Sequence, residues 1–272
     1  MTDTAQETIV DEEAFEATVT RGDLVRIADA LEPVVDEARL HFTTSELHAS
    51  AVDPANVMAV DSGRYEIEAN QPAVIGIDVE ELHETLHFLA SSDEEVTLRY
   101  EDGDDELTIL DNNWFDTASV VDEEYIRDDR DLDDILERID FEVVGTAESW
   151  EFAGSINKVA LAASRGIRFL PVADGVLTEG DRKEFNEDDG GFERVWGYQD
   201  EFDADLERRP ATYDGAVSVY SPDYLEDLAQ ALPTEGTVTF YTGDNIPLIA
   251  ESSEGPRVVV APRLKNPVED DR

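Results

Sequence analysis

The chain has 272 residues, with 67 Asp and Glu against 20 Lys and Arg, a formal net charge of −47 and a pI near 4.1, while hydrophobic residues still make up 41%. Length allows one large or two ordinary domains, and the hydrophobic share excludes a disordered polyelectrolyte. The absence of Cys excludes disulfides, thiolate metal sites and cysteine catalysis, no apolar run approaches the ~18 residues of a membrane span, and the start MTDTAQETIVDEE lacks the basic-then-apolar pattern expected of a secretory leader.

Residues 1–12 read as an acidic tail. Phe15–Thr20 alternates as a strand. In 23–31, Leu24, Ile27, Ala28 and Leu31 form a helical stripe that Pro33 stops. Strands are expected in 39–52, 57–70 and 73–77, with Asp53-Pro54 as a turn. Residues 78–90 form an amphipathic helix with Val79, Leu82, Leu86 and Leu89 on one face and Asp78 as N-cap. Residues 96–100 and 106–110 make a hairpin around Asp102-Gly103-Asp104, and 114–121 is another strand.

The run DEEYIRDDRDLDDILERID at 122–140 is dense in charge, with isolated Ile126, Leu132, Ile135, Leu136 and Ile139. It reads as a linker between two domains, against the competing reading of a solvated helix. Beyond it come a strand (141–145), a helix (151–164) and a strand (166–172). Residues 181–210 read as polar and irregular. A strand (216–220), a helix (222–232) and strands at 237–242, 247–251 and 257–261 complete the chain, and Pro262 ends the last.

The halves resemble each other. LHFLASSDEEVTLRY (86–100) aligns without gaps on LAQALPTEGTVTFYT (228–242), setting Leu86 on Leu228, Val96 on Val238 and Thr97 on Thr239. A repeat on the scale of a domain implies pseudo-symmetry. The expected division is a tail (1–12), domain 1 (13–121), a linker (122–140), domain 2 (141–265) and a C-terminal tail (266–272).

The charge speaks first about solvent. Surplus negative charge repels itself in the compact state, and in roughly molar salt the Debye length falls to about 3 Å and removes most of that repulsion. Acids spread along the whole chain, with 3 Lys against 17 Arg, point to a salt-rich cytosol rather than an acidic protein of an ordinary one. Acidity of this origin masks the basic footprint that nucleic-acid binding leaves in a sequence.

Two α+β repeats joined by an acidic linker resemble the DNA sliding clamps of the proliferating cell nuclear antigen (PCNA) family, haloarchaeal type. The residues that carry the resemblance span about 14–265. They are Phe15-Glu16-Ala17 before a helix, the Ala51-Val52-Asp53-Pro54-Ala55-Asn56-Val57 segment, and Glu151-Phe152-Ala153. Ser221-Pro222-Asp223-Tyr224-Leu225 with Ala231-Leu232-Pro233, Ile246-Pro247-Leu248, and Ala261-Pro262-Arg263-Leu264 complete the set. The resemblance implies an α+β, two-domain clamp fold, each domain with two helices packed on antiparallel sheets, closing as a homotrimeric ring around duplex DNA. It implies no catalysis, cofactor, metal or membrane. The implied partners are double-stranded DNA, DNA polymerase, a clamp loader and other clients carrying short clamp-binding motifs.

Clamps line the hole with basic residues because phosphate contacts are electrostatic and independent of sequence. The positions carried over are Arg21, Arg26, His83, His87 and Lys158, a thin supply, and the last helix offers Asp223, Glu226 and Asp227 instead. The sparse charge leaves open a clamp-like scaffold that does not encircle DNA. The client pocket carried over comprises Val52, Leu132, Ile135, Leu136, Pro247, Val259, Val260 and Pro262, an apolar patch rimmed by charge.

One motif argues for another class. His83-Glu84-Thr85-Leu86-His87 fits H-E-x-x-H, which on a helix places two imidazoles on one face for Zn²⁺. No His follows residue 87 to supply a third ligand, and the equivalent helix of the second repeat lacks the motif. The zinc hydrolase therefore stands as the alternative to the clamp. His41 and His48 read as surface or hairpin residues. There is no Walker A, G-x-G-x-x-G or G-x-S-x-G.

Overall fold

A computed structural model describes residues 14–88, 94–111, 114–122, 124–127, 132, 138–186, 191–208, 218–264 and 268. The N-terminal tail, Ile135 and Leu136 lie outside them, as do residues 216 and 217 of the expected 216–220 strand and all of the C-terminal tail except Val268.

The N-terminal half runs β1 (Phe15–Thr20), α1 (Arg21–Leu31), β2 (Glu37–Phe42), β3 (Glu46–Val52), β4 (Met58–Glu66), β5 (Glu68–Ala69), β6 (Ala73–Asp78), α2 (Val79–Phe88), β7 (Glu95–Tyr100), β8 (Glu106–Asp111) and β9 (Trp114–Ser119). The C-terminal half runs β10 (Val143–Glu148), α3 (Ser149–Ala160), β11 (Ile167–Pro171), β12 (Gly175–Asn186), β13 (Gly191–Asp203), β14 (Asp205–Arg208), α4 (Pro222–Ala231), β15 (Thr237–Thr242), β16 (Leu248–Ser252) and β17 (Arg257–Val260).

Local chemistry sets the helix starts. Thr20 Oγ1 accepts from the Asp23 amide at 3.2 Å, so α1 begins at Arg21, two residues ahead of the expected 23–31 span. Asp78 Oδ1 accepts from the Glu81 amide at 3.0 Å, as its place before the second stripe predicts. Pro222 opens α4, where a missing amide proton costs nothing. Leu24, Ile27 and Leu31 of α1 are fully buried, each worth about 1.5–3 kcal/mol of hydrophobic stabilisation.

The repeat holds at the level of register. β1 pairs antiparallel with β7 from Phe15↔Tyr100 to Thr20↔Glu95, and β10 with β15 from Val143↔Thr242 to Glu148↔Thr237. In each half the strand runs straight into its helix, and both strands of the pair are six residues long.

Three antiparallel sheets result, ordered β5-β1-β7-β8-β9, β14-β10-β15-β16-β17-β4-β3-β2-β6 and β11-β12-β13. The nine-stranded sheet joins the halves through β17 and β4, from Arg257↔Asp61 to Val260↔Met58. Beside that seam Gly63, at φ +85°, approaches the Gly255 backbone so closely that a Cβ would lie 2.8 Å from its oxygen. The helices form one layer in the order α2-α1-α4-α3, with α1 touching α4 across the seam.

The 181–210 segment is a correction. Its described part is a long hairpin in which β12 and β13 pair from Gly175↔Asp203 to Asn186↔Gly191, with a bulge at Gly180/Asp181. Its far half is solvated on both faces, so charged and apolar residues do not alternate cleanly and the strand period is hidden. The 151–164 helix also stops early, at Ala160. Of the expected 216–220 strand, Tyr220 makes a single bridge to Ile167.

Candidate functional site

The basic residues assigned to the helix layer are present there, and each is already engaged. The Arg21 guanidinium donates from Nε to the Leu86 carbonyl at 2.8 Å, closing the C-terminal end of α2. Arg26 pairs with Asp23 at 3.1 Å, and Lys158 of α3 reaches Asp200 of β13 at 3.1 Å. His83 lies 3.0 Å from Asp29 of α1 and 2.9 Å from His87. Glu84, the acid of the H-E-x-x-H motif, is exposed.

On α4 the acids crowd. Burial pushes the Asp227 carboxyl up to about 6, helped by the carboxylates of Asp223, Glu226 and Asp53. A carboxyl raised in the folded state favours folding below its unfolded value near 3.8 and loses that contribution as pH rises through about 6. Asp227→Asn is therefore expected to be more stable than the parent at pH 7.5 and equal to it at pH 4. The gain is about 1 kcal/mol after allowance for solvent screening, or about 2–4 °C in melting temperature. Thermal unfolding at the two pH values reads it; an equal shift at both would refute the carboxyl as cause.

Four of the eight pocket positions read from the sequence meet at the β17–β4 seam, on the sheet face away from the helices. A hollow of about 210 Å³ is lined by Val52, Asn56, Val57, Met58, Ala59, Pro247, Val259, Ala261 and Pro262. Val52, Pro247, Val259 and Pro262 are among the positions read from the sequence. Val260 is not in the hollow: successive strand residues face opposite sides, and Val260 is fully buried in the main core. Leu132 is 3% exposed and packs with Val52, Ala59, Phe141, Ile249 and Val259, which anchors the linker beside the hollow. Ile135 and Leu136 lie outside the described residues.

Asn56, Val57, Met58, Ala59 and Ala261 were missed as lining residues. Their signal was the Asp-Pro-Ala-Asn turn. Asp53 accepts from the amides of Ala55, Val57 and Met58 at 2.9, 2.6 and 2.6 Å, and Asn56 takes φ +57°. Tyr224 of α4 donates to Asp53 at 3.2 Å, so the turn that shapes the hollow is tied to the C-terminal half. The start of the linker is held on the same sheet. Arg39 donates to the carbonyls of Ile126 and Arg127 at 2.7 and 2.8 Å. Gly76 lets the chain cross β6, since a Cβ there would lie 2.2 Å from the Val121 oxygen.

Two strands end their sheets at opposite ends of the molecule. β9 lies beside β6, whose outer side is closed by the Ile77–Val120 bridge, and β13 ends the three-stranded sheet near β10. Each is backed by a helix, β9 by α2 and β13 by α3. Phe88 and Phe115 are exposed at the first end, Phe192 and Leu161 at the second. The outward amides of β9 are taken by carboxylates: Thr117 by Asp116 and Ser119 by Glu81, both at 2.9 Å.

No family model matches the sequence. The chain is similar to the DNA polymerase sliding clamp of Natronomonas pharaonis, 26% identical over 266 residues, covering 93% of this chain and 99% of that protein. It is also similar to the DNA polymerase sliding clamp of Halobacterium salinarum, 24% identical over 265 residues with the same coverage. Among solved structures, the A. fulgidus PCNA bound to the C-terminal region of FEN-1 superposes with a TM-score of 0.69 at 20% identity, over 93% of this chain and 99% of that one. The Entamoeba histolytica PCNA gives 0.71 at 15% identity, over 92% and 99%. At these identities the structural likeness is one of fold.

Proposed function

We infer, from a chain that belongs to the DNA sliding clamps of the PCNA family, that it closes head to tail into a homotrimeric ring around duplex DNA and tethers polymerase and repair proteins there. The observation that carries this reading is the pair of helix-backed edge strands. β9 of one copy would extend the sheet of β13 in the next, and a heterologous contact of this kind closes when its rotation suits a ring. The domains would be 13–121 and 141–265, joined by the 122–140 linker. The helix layer would face the hole and the linker the outer rim.

Holding DNA in this way is topological and needs little affinity. That suits a layer whose cations are held by internal hydrogen bonds and whose α4 is acidic. No described helix is long and apolar enough to cross a membrane, and the protein would work in a salt-rich cytosol without catalysis of its own.

Light scattering after size exclusion in roughly 2–3 M KCl, where charge is screened within about 3 Å, is expected to give about 90 kDa, three times 30.2 kDa. Loaded onto circular DNA, the ring should be retained until the circle is cut. A chain that stays at the monomer mass would overturn the ring; a ring never retained on circles would favour the scaffold that does not encircle DNA.

Clients would dock in the hollow at the seam. A short motif folded as one helical turn would insert apolar side chains there, with its flanking basic residues drawn to the acidic linker. Ala261→Arg should fill the hollow and weaken a client motif peptide at least ~30-fold, the scale of a central interface residue, with the mass unchanged. Fluorescence anisotropy reads the affinity, and parental binding by the variant would place the site elsewhere.

A further inference from the structure

The geometry points to a binding site for a divalent transition-metal ion of the zinc class between α1 and α2, formed by Asp29, His83 and His87. Three ligand atoms converge there. His83 Nε2 lies 2.9 Å from His87 Nε2 and 3.0 Å from Asp29 Oδ1, and His87 Nε2 lies 3.9 Å from the same oxygen. All three side chains are partly open to solvent, which leaves coordination positions for water.

Hydrogen bonding alone satisfies this arrangement poorly. A ring nitrogen carries one proton or one lone pair. If His83 Nε2 bears the proton, it points at Asp29 or at His87, and a single proton cannot lie in line with both. If His83 Nε2 is bare, His87 can donate to it, and the lone pair of His83 then faces the Asp29 carboxylate at 3.0 Å. A cation among the three accepts an electron pair from each.

The spacing fits such an ion. With metal–nitrogen and metal–oxygen bonds of about 2.0–2.1 Å, the edges of a tetrahedral site are about 3.3 Å. The observed separations bracket that value, and small rotamer changes on exposed helix faces would equalise them. The helix supplies the pair, since residues four apart share a face. Imidazole nitrogen selects zinc, cobalt, nickel or copper over magnesium and calcium, which prefer all-oxygen shells. The third ligand, which the sequence motif lacked downstream, lies 54 residues upstream of His83, on the neighbouring helix.

A bound ion would pin α1 to α2 and add two positive charges to a helix layer whose other described cations already hold hydrogen bonds. The site does not depend on the clamp reading. Only its position at the DNA-facing surface does.

The test is a titration of the chelator-stripped protein in molar KCl with Co²⁺, followed by displacement with Zn²⁺. One equivalent of Co²⁺ per chain should give the visible absorption of a four- or five-coordinate site, and Zn²⁺ should abolish it. His87→Gln and Asp29→Asn should each weaken binding roughly 100-fold, at or beyond the 10–100-fold that loss of an outer-shell partner costs. His48→Gln should leave it unchanged, a control for the His41–His48 cross-strand pair. The many surface carboxylates would bind Co²⁺ weakly in octahedral form. A titration showing only that signal, one indifferent to His87→Gln, or one lost in His48→Gln would overturn the assignment. Both ligand variants are on exposed positions, and circular dichroism confirms their fold.

Discussion

Asp181→Ala is expected to lower the melting temperature by about 10 °C. Asp181 is fully buried at the bulge of β12. Its carboxylate accepts from the amides of Ser164, Arg165 and Gly166 at 3.0, 2.7 and 2.9 Å, and from the Ser164 hydroxyl at 3.0 Å. Arg194 of β13 pairs with it at 2.5 Å from a nearly buried position. Removing the carboxylate takes the acceptor from three amides and the counter-charge from Arg194, which keeps its bond to Ser164 Oγ, a loss of about 3–5 kcal/mol. At about 2–4 °C per kcal/mol for a chain of this size, the shift follows. Molar salt should not rescue the variant, because a buried pair is poorly screened.

The same group sets a pH dependence. Burial alone would raise the Asp181 carboxyl, but the Arg165, Gly166 and Ser164 donors overcome it and hold the carboxyl below its usual value of 3.8. A depressed carboxyl contributes stability above the unfolded value, and that contribution is lost as pH falls through the folded one. The parent should therefore lose stability steeply below about pH 4, and Asp181→Ala should be flatter there. Thermal scans from acid to neutral pH test both points. An unchanged acid limb would show that other carboxylates govern it.

The second large effect is on assembly. Thr117→Pro is expected to convert the proposed trimer to a monomer while the chain remains folded. The Thr117 amide bonds the Asp116 side chain at 2.9 Å rather than β8, so proline at that position spares the internal ladder. On the outer edge it removes a donor and places a ring where the next copy's β13 would lie. Light scattering in molar KCl should fall from about 90 kDa to 30.2 kDa with the circular dichroism spectrum retained. A surviving trimer would move the contact away from β9. Lowering the salt should also dissociate the proposed ring, since Glu81 and Asp116 sit on the β9 edge that would join the next copy, and their repulsion across it grows as screening fades.

The sequence by itself determined the elements whose own residues carry a period and a boundary. β1 matches its expected ends, and α1 and α2 lie where their apolar stripes place them, with Asp78 in its capping role. The alignment of 86–100 on 228–242 foresaw a helix end, a turn and a strand repeated in each half, and the structure adds that the repeated strands β7 and β15 pair with β1 and β10 in matching register. Four of the nine residues lining the hollow, Val52, Pro247, Val259 and Pro262, were among the positions implied by the family resemblance. Tertiary structure alone decided the rest. The far half of the β12–β13 hairpin is solvated on both faces, so its pairing draws on contacts such as Asp181 with Arg194 and Arg168 stacked 4.3 Å from the Trp196 ring centroid. Val259 and Val260 look alike in the chain, and the register of β17 sends one to the hollow and the other to the core. Asp29 was one acid among 67; only the packing of α1 on α2 brought it to His83 and His87. A local period records which face of an element is buried, whereas a site depends on which faces meet, and that is settled by contacts between residues far apart in the chain.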